Sequence, residues 1–319
     1  MSRFIKEFHT LNYAINEADN ILLFAHSRPD EDTVGSVMAL KEYIKTIGKN
    51  ADVACFDPFP RYLKEIAIED FKNPTQLDIS KYKLIIACDS VERGFDKILP
   101  LLKENQVTAL IDHHPDITIS GDITIIYSGF SSTCEAVYEF FSFNKIDITR
   151  KMATFLLMGI LGDTGMLQHS STTAHLLEIS SELLKKGASL SKIVETTFSN
   201  KNICTLKLWG KAFEKAKINP KNGMIISVLT KKDLDECKAG TEDIAQVATI
   251  LNTVPGTRFS LILSERGDNT VKGSLRSEAY KGVDVSRIAA RFGGGGHKLA
   301  SGFEIKGNII ETEDGWKVI

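Results

Sequence analysis

The sequence predicts an α/β protein of two domains: an N-terminal parallel sheet with helices on both faces, and a smaller C-terminal α/β domain with a mixed sheet. Three observations predict it. Short apolar runs at residues 22–25, 84–88 and 107–111 are of the kind buried on both faces of a parallel sheet. Segments of helical period fall around them, giving the alternation that builds such sheets. At 319 residues the chain exceeds what one compact core ordinarily holds, and the order of elements changes beyond about residue 218.

Taken in order, Phe4, Phe8, Leu11 and Ile15 share one face of a first helix, interrupted by charges in a way that no signal peptide centre is. The run 22–25 then stops at His26, and Asp30 and Asp32 follow around Pro29, which forbids a simple helix there. Val37, Leu40, Ile44 and Ile47 recur at helical spacing until Gly48. A strand is expected at 52–56. The run 84–88 stops at Asp89, a helical segment passes through Ile98 and Leu102, and the run 107–111 stops at Asp112-His113-His114. Strand 123–127 leads to Ser132 and Glu135, spaced as a capping box for a helix to about Phe143. The helix 150–161 delivers Gly162-Asp163, and the helix 172–186 ends at Gly187. We expect domains at 1–190 and 218–319 with a helical connector at 191–217. The second domain reads as strand 224–229, helix 241–251, strands 258–263 and 270–275, helix 284–292, the run Gly293 to Gly296 with His297, and a last strand from Phe303. Phe292 and Phe303 are expected in its core.

Hydrophobic and charged fractions of 43% and 25% exclude disordered and membrane classes, and no apolar run approaches the ~20 residues that span a bilayer. A cytoplasmic location is expected. Five scattered cysteines without a CxxC pair exclude a disulfide framework and a thiolate zinc site. A net charge of −2 gives no general attraction for long duplex nucleic acid. The distribution is uneven: between Gly256 and Phe303 eight Lys or Arg stand against four Asp or Glu. An acidic half facing a basic half suits a small phosphorylated substrate.

A lone Asp at a strand end is ordinarily a cap, and a lone His a satisfied polar group. Here His26, Asp30, Asp32, Asp89, His113 and Asp163 all fall at element ends on one edge of the expected sheet. Four crowded carboxylates repel unless cations lie among them. Two imidazoles with four carboxylates suit Mn²⁺ best, with Mg²⁺, Fe²⁺, Co²⁺ and Zn²⁺ as competitors. Six ligands are too many for one catalytic ion but right for two that share a carboxylate. Such a pair, ~3.5–4 Å apart, lowers the pKa of a water held between them and clamps both oxygens of an in-line displacement at phosphorus.

HSRPDEDTVGS, the Asp after LIIAC, IDHHPD and GILGDTG resemble the four ordered motifs of the DHH phosphoesterase superfamily. GSLRSE with RFGGGGHKLASGF resembles its C-terminal DHHA1 domain, so the resemblance covers nearly the whole chain. Length and domain order are most similar to the bifunctional nanoRNase and pAp phosphatase group. The resemblance implies that His26 and Asp30 hold one metal, that Asp32, His113 and Asp163 hold the other, and that Asp89 bridges them. It further implies that His114 faces the substrate phosphate as a catalytic group. Asp112 is expected to orient a histidine. Arg276, His297 and the backbone of Gly294, Gly295 and Gly296 are expected to grip a terminal phosphate. Glu31 and Ser301 depart from the family pattern, Glu31 by adding charge near the metals.

The function implied is metal-dependent hydrolysis of short oligoribonucleotides or of 3′-phosphoadenosine 5′-phosphate (pAp). A cyclic or linear dinucleotide phosphodiesterase and a nucleotide-binding protein without turnover are the alternatives. Short RNA or nucleotide phosphates are the expected partners, and the question of a homodimer stays open.

Overall fold

A computed structural model describes residues 3–115, 117–199, 201–267, 269–312 and 315–319, with backbone alone at 198 and 199. Asp116 of the IDHHPD motif lies outside the described residues. The chain divides into two compact units, residues 1–200 and 201–319.

In the first unit, α1 (Ile5–Glu17) precedes β1 (Ile21–Phe24), α2 (Glu31–Thr46) and β2 (Ala51–Ala54). Strands β3 (Leu84–Cys88), β4 (Val107–Asp112) and β5 (Ile123–Ile126) complete a sheet of order β2-β1-β3-β4-β5 in which every pairing is parallel. Helices α3 (Thr133–Phe143), α4 (Arg150–Asp163), α5 (Ala174–Lys185) and α6 (Leu190–Val194) follow. Alternate strand residues explain the layering. Ile21, Leu23 and Ile86 meet Phe8, Leu11, Val37, Leu40, Phe140 and Leu156 in one core under the α-helices. Leu22, Phe24, Ile85 and Leu110 meet Ile79, Val91, Phe95 and Ile98 on the other face.

That second face is roofed by 3₁₀ turns. The helix expected through Ile98 and Leu102 is two of them, Phe95–Lys97 and Leu99–Leu101, because Gly94 turns at φ +130° and Pro100 has no N–H for an α-helical bond. The capping box at Ser132 is half formed. Ser132 accepts the Glu135 N–H, but the Glu135 carboxylate accepts the N–H of Ser131 at 2.6 Å instead.

The second unit contains α7 (Ile203–Glu214), β6 (Lys217–Asn219), β7 (Met224–Leu229), α8 (Lys231–Cys237), α9 (Val247–Asn252), β8 (Phe259–Arg266), β9 (Thr270–Arg276), α10 (Val285–Ala290), β10 (Gly295–Gly296), β11 (Ala300–Lys306), β12 (Ile309–Thr312) and β13 (Gly315–Val318). Six strands form a mixed sheet of order β10-β11-β9-β8-β7-β6, with β7 and β8 parallel and the other pairs antiparallel. Within residues 241–251, where one helix is expected, a 3₁₀ turn at Thr241–Ile244 is separated from α9 by Gln246 at φ +72°. Phe303 is in the core as expected. Phe292 is 48% exposed and stacks on it at 4.6 Å.

Among the described residues no helix is long and apolar enough to cross a membrane. All five cysteines are unbridged.

Candidate metal centre

Each candidate ligand sits where an element of the first unit ends or begins. His26 follows β1, Asp89 follows β3, Asp112 closes β4 with His113 and His114 after it, and Asp163 closes α4. Asp30 is the N-cap of α2. One of its oxygens accepts the N–H of Asp32 and of Thr33 at 3.2 and 3.1 Å, and the other faces His26 Nε2 at 3.3 Å. Asp32 lies in the first turn of the same helix. Asp89 adopts φ +56°, a left-handed conformation that costs a non-glycine residue energy.

These placements bring all six candidate ligands together. Asp89 lies 3.2 Å from His26 Nε2 and 3.8 Å from His113 Nε2, so it stands between the two imidazoles. His113 Nε2 also reaches Asp163 at 3.0 Å and Asp32 at 3.8 Å. Asp163 arrives because α4 crosses α2 at small residues. A Cβ on Gly159 would come within 2.2 Å of Cys134 Sγ and 2.8 Å of an Asp32 oxygen, and one on Gly35 within 2.5 Å of the Phe155 carbonyl.

The donor chemistry fits divalent cations. His26 Nδ1 is engaged by the Ser27 carbonyl at 2.7 Å, which leaves Nε2 as the lone-pair atom facing Asp30 and Asp89. That Nε2 and Oδ1 of Asp89 are buried with no hydrogen-bond partner of their own. Without a cation, protons do its work. Burial alone would lower the pKa of His26, yet Asp30 and Asp89 push it up to about 10. Burial opposes Asp163, Asp32 and Asp89 in the same way at His113, which also rises to about 10. Asp89, which burial would raise, is held well below the usual carboxylate range by His114 and His26. Asp32 goes the other way, lifted by burial and by the charges of Asp163 and Asp89. A cluster that draws protons onto its imidazoles and repels charge from one of its carboxylates is short of positive charge.

His114 touches this set through Asp89, whose Oδ1 lies 3.2 Å from its Nδ1, but Asp112 orients it. Its Nδ1 and its backbone N–H both meet Asp112 Oδ1, at 2.8 and 2.9 Å, while Asp112 Oδ2 accepts the Val91 N–H at 3.3 Å. Asp112 therefore orients His114 and not either of the imidazoles between the carboxylates. Burial is outweighed by Asp112 and Asp89, and His114 is pushed up to about 9. Glu31 packs beside Gly162 at the rim, and burial with the charge of Asp30 pushes its carboxyl up to about 7. Its extra charge is only partly expressed at neutral pH.

Arg93 was not foreseen. One turn beyond Asp89, its guanidinium lies 3.3 Å from His114 Nε2 and 3.8 Å from Asp89, with 41% of the side chain exposed. A cation at this spacing inside an acidic motif was the only signal available. Also unforeseen is the N-terminus of α3, where the N–H groups of Thr133 and Cys134 donate to the two oxygens of Asp32 at 2.7 and 2.9 Å.

In the second unit Arg276 ends β9 in register with Ala300, and Gly295 and Gly296 pair with Gly302 and Ser301 on the adjoining hairpin. Gly296 turns at φ +132°, and a Cβ on Gly294 would come within 2.1 Å of the Gly302 carbonyl, so both positions require glycine. The departure at Ser301 has a use: its hydroxyl donates to the His297 carbonyl at 2.6 Å and ties down the turn that presents His297. The glycine run, His297 and Arg276 thus lie at one end of the neighbouring strands β10, β11 and β9.

The family model described as "DHH family, N-terminal domain" matches residues 20–160, and the DHHA1 domain model matches residues 222–314. The bifunctional oligoribonuclease and PAP phosphatase NrnA of Bacillus subtilis (strain 168) is 30% identical over 295 residues, covering 90% of this chain and 90% of that protein. This chain belongs to the DHH family. The probable bifunctional oligoribonuclease and PAP phosphatase NrnA of Streptococcus mutans, a further DHH relative, is 29% identical over 320 residues and 96% of each chain. Among solved DHH structures, an exopolyphosphatase-related protein from Bacteroides fragilis superposes with a TM-score of 0.88 at 25% identity, covering 97% of this chain and 94% of that one.

Proposed function

We propose that this chain hydrolyses phosphoester bonds in short oligoribonucleotides and in pAp, using two divalent ions, preferentially Mn²⁺. The observation that carries the reading is the position of Asp89, within 3.2–3.8 Å of His26 and His113, between two groups of ligand-type side chains. His26 and Asp30 would hold one ion, Asp32, His113 and Asp163 the other, and Asp89 would serve both. When bound, such ions supply a water of lowered pKa and neutralise charge at phosphorus.

The chain's own residues do the rest. Asp112 keeps the Nδ1 proton of His114 in place, so that Nε2 is presented to a phosphate oxygen or to the leaving hydroxyl. Arg93 lies beside that nitrogen and supplies a fixed positive charge to the same oxygen atoms. Arg276 and the glycine turn with His297 provide donors for a terminal phosphate. Recognition through a terminal phosphate favours short substrates over long tracts, in line with the activities in the names of the NrnA relatives.

The test is a side-by-side assay of Mn²⁺-loaded protein on pAp, a linear dinucleotide, a pentaribonucleotide, a cyclic dinucleotide and pyrophosphate. Turnover is expected on the first three. Preference for the cyclic dinucleotide or for pyrophosphate would overturn the assignment, and no turnover on any of them would favour a nucleotide-binding protein without catalysis.

A further inference from the structure

A hollow of about 700 Å³ opens in the second unit, with Arg258, Arg287 and Arg291 around an apolar floor of Phe259, Val283 and Ile288. Its construction is specific. Arg258 donates its backbone N–H to the Gly223 carbonyl at 2.7 Å, and its stem lies over Gly223, where a Cβ would come within 2.8 Å of Arg258 Cγ. Arg287 and Arg291 are four residues apart on α10 and its cap, and so project from one face. Among the described residues none of the three guanidiniums is in an ion pair. The acid on the rim, Asp284, is engaged by the N–H and hydroxyl of Ser286. The neighbouring cation Lys281 is turned away onto Asn252 and Thr257. Three unneutralised guanidiniums about one concavity form an anion site of the kind that takes phosphate in bidentate fashion.

The strand segment that carries Arg258 adjoins the one that ends in Arg276. Arg276 is in register with Ser260, two residues beyond Arg258 along the strand, and the Ser277 hydroxyl donates to the Arg258 carbonyl at 3.0 Å. Phe292, next in the chain to Arg291, keeps one ring face against Phe303 and remains 48% exposed, which leaves the other face open to a base. We propose that this hollow is a phosphodiester subsite, holding the outlying phosphates of a short oligoribonucleotide whose terminal phosphate lies at Arg276, with Phe292 stacking a base. The proposal rests on the phosphoesterase reading above and adds to it a reason for handling several nucleotides. The apolar floor and the open ring select ribonucleotides over a bare phosphate chain.

The experiment compares wild type with Arg287→Gln/Arg291→Gln, with Arg258→Gln and with Phe292→Ala, all at surface positions, with thermal melts to confirm folding. The ratio of kcat/KM on a pentaribonucleotide to that on pAp is expected to fall at least tenfold in the double variant and severalfold in the other two, with a shallower salt dependence for the pentamer. An unchanged ratio in a folded double variant would overturn the proposal. Inorganic pentaphosphate is the competing arm: it should displace the pentamer weakly and be insensitive to Phe292→Ala, whereas competition equal to RNA would reassign the hollow to bare phosphate chains. If wild type turns over no RNA, the phosphoesterase reading has failed by itself. Fluorescence anisotropy with a labelled pentaribonucleotide then still decides the subsite, through an affinity loss of at least tenfold in the double variant or its absence.

Discussion

The carboxylate of Asp32 is gripped by Cys134 from another helix: the Cys134 N–H donates to one of its oxygens at 2.9 Å, while Thr133 donates to the other at 2.7 Å. The first turn of α3 therefore fixes the orientation of a carboxylate more than a hundred residues earlier in the chain, and the positive end of that helix offsets part of its charge.

The first prediction tests that grip. Ser132→Ala removes the N-cap of α3, a loss of about 1 kcal/mol. Thr173→Ala removes the equivalent cap of α5, whose hydroxyl accepts the Leu176 N–H, and serves as a control of similar cost. Urea melts should show comparable destabilisation in both variants. Calorimetric Mn²⁺ titration should show severalfold weaker binding only in Ser132→Ala; equal affinities would mean that α3 does not set the orientation of Asp32.

The second concerns Asp112. It touches His114 at two atoms and is the largest influence holding that imidazole up at about 9. Asp112→Asn should move the alkaline limb of the pH–rate profile to lower pH and reduce kcat by about a hundredfold, within the range for loss of a positioned proton donor. Metal content, read by mass spectrometry, should stay at wild-type level. An unshifted limb would show that His114 is not the titrating donor.

How much of this arrangement was legible beforehand differs by residue. His26, Asp89 and Asp112 were visible because an apolar strand that stops at an ionisable group marks the open edge of a parallel sheet. The grip on Asp32 was not, since it depends on which elements pack together after folding; that Asp112 orients a histidine was expected, and His114, two residues on, is the one within its reach. The turns at Pro100 and Gln246 show the same limit locally. Periodicity suggested helix at both places, but a missing N–H in one and a left-handed residue in the other overrode it.

The third prediction follows from the proton-loaded cluster. His26 and His113 rise from 6.5 to about 10 in the metal-free fold, despite burial, through their carboxylate neighbours. Because their folded values exceed the unfolded ones, the stability they contribute is fully present below about pH 6.5 and is lost as pH rises through about 10. Metal binding displaces the same protons. Melting temperatures of chelator-treated protein should therefore fall from pH 7 to pH 10, and the increment on adding Mn²⁺ should grow over that interval. An increment independent of pH would contradict the assignment of these imidazoles to metal.

The fourth separates the two sets of site residues. Arg276→Ala removes a charged phosphate donor, worth roughly 1.5–3 kcal/mol, and so should raise KM for pAp by about ten- to a hundredfold. Mn²⁺ affinity should not change. A parallel loss of both would mean that Arg276 does not contact substrate directly.

The most direct measurement of the central claim is a crystal of Mn²⁺-soaked protein examined by anomalous scattering. Two peaks are predicted on either side of the Asp89 carboxylate, one within coordination distance of His26 and Asp30, the other of Asp32, His113 and Asp163. A single peak, or two that both avoid Asp89, would contradict it.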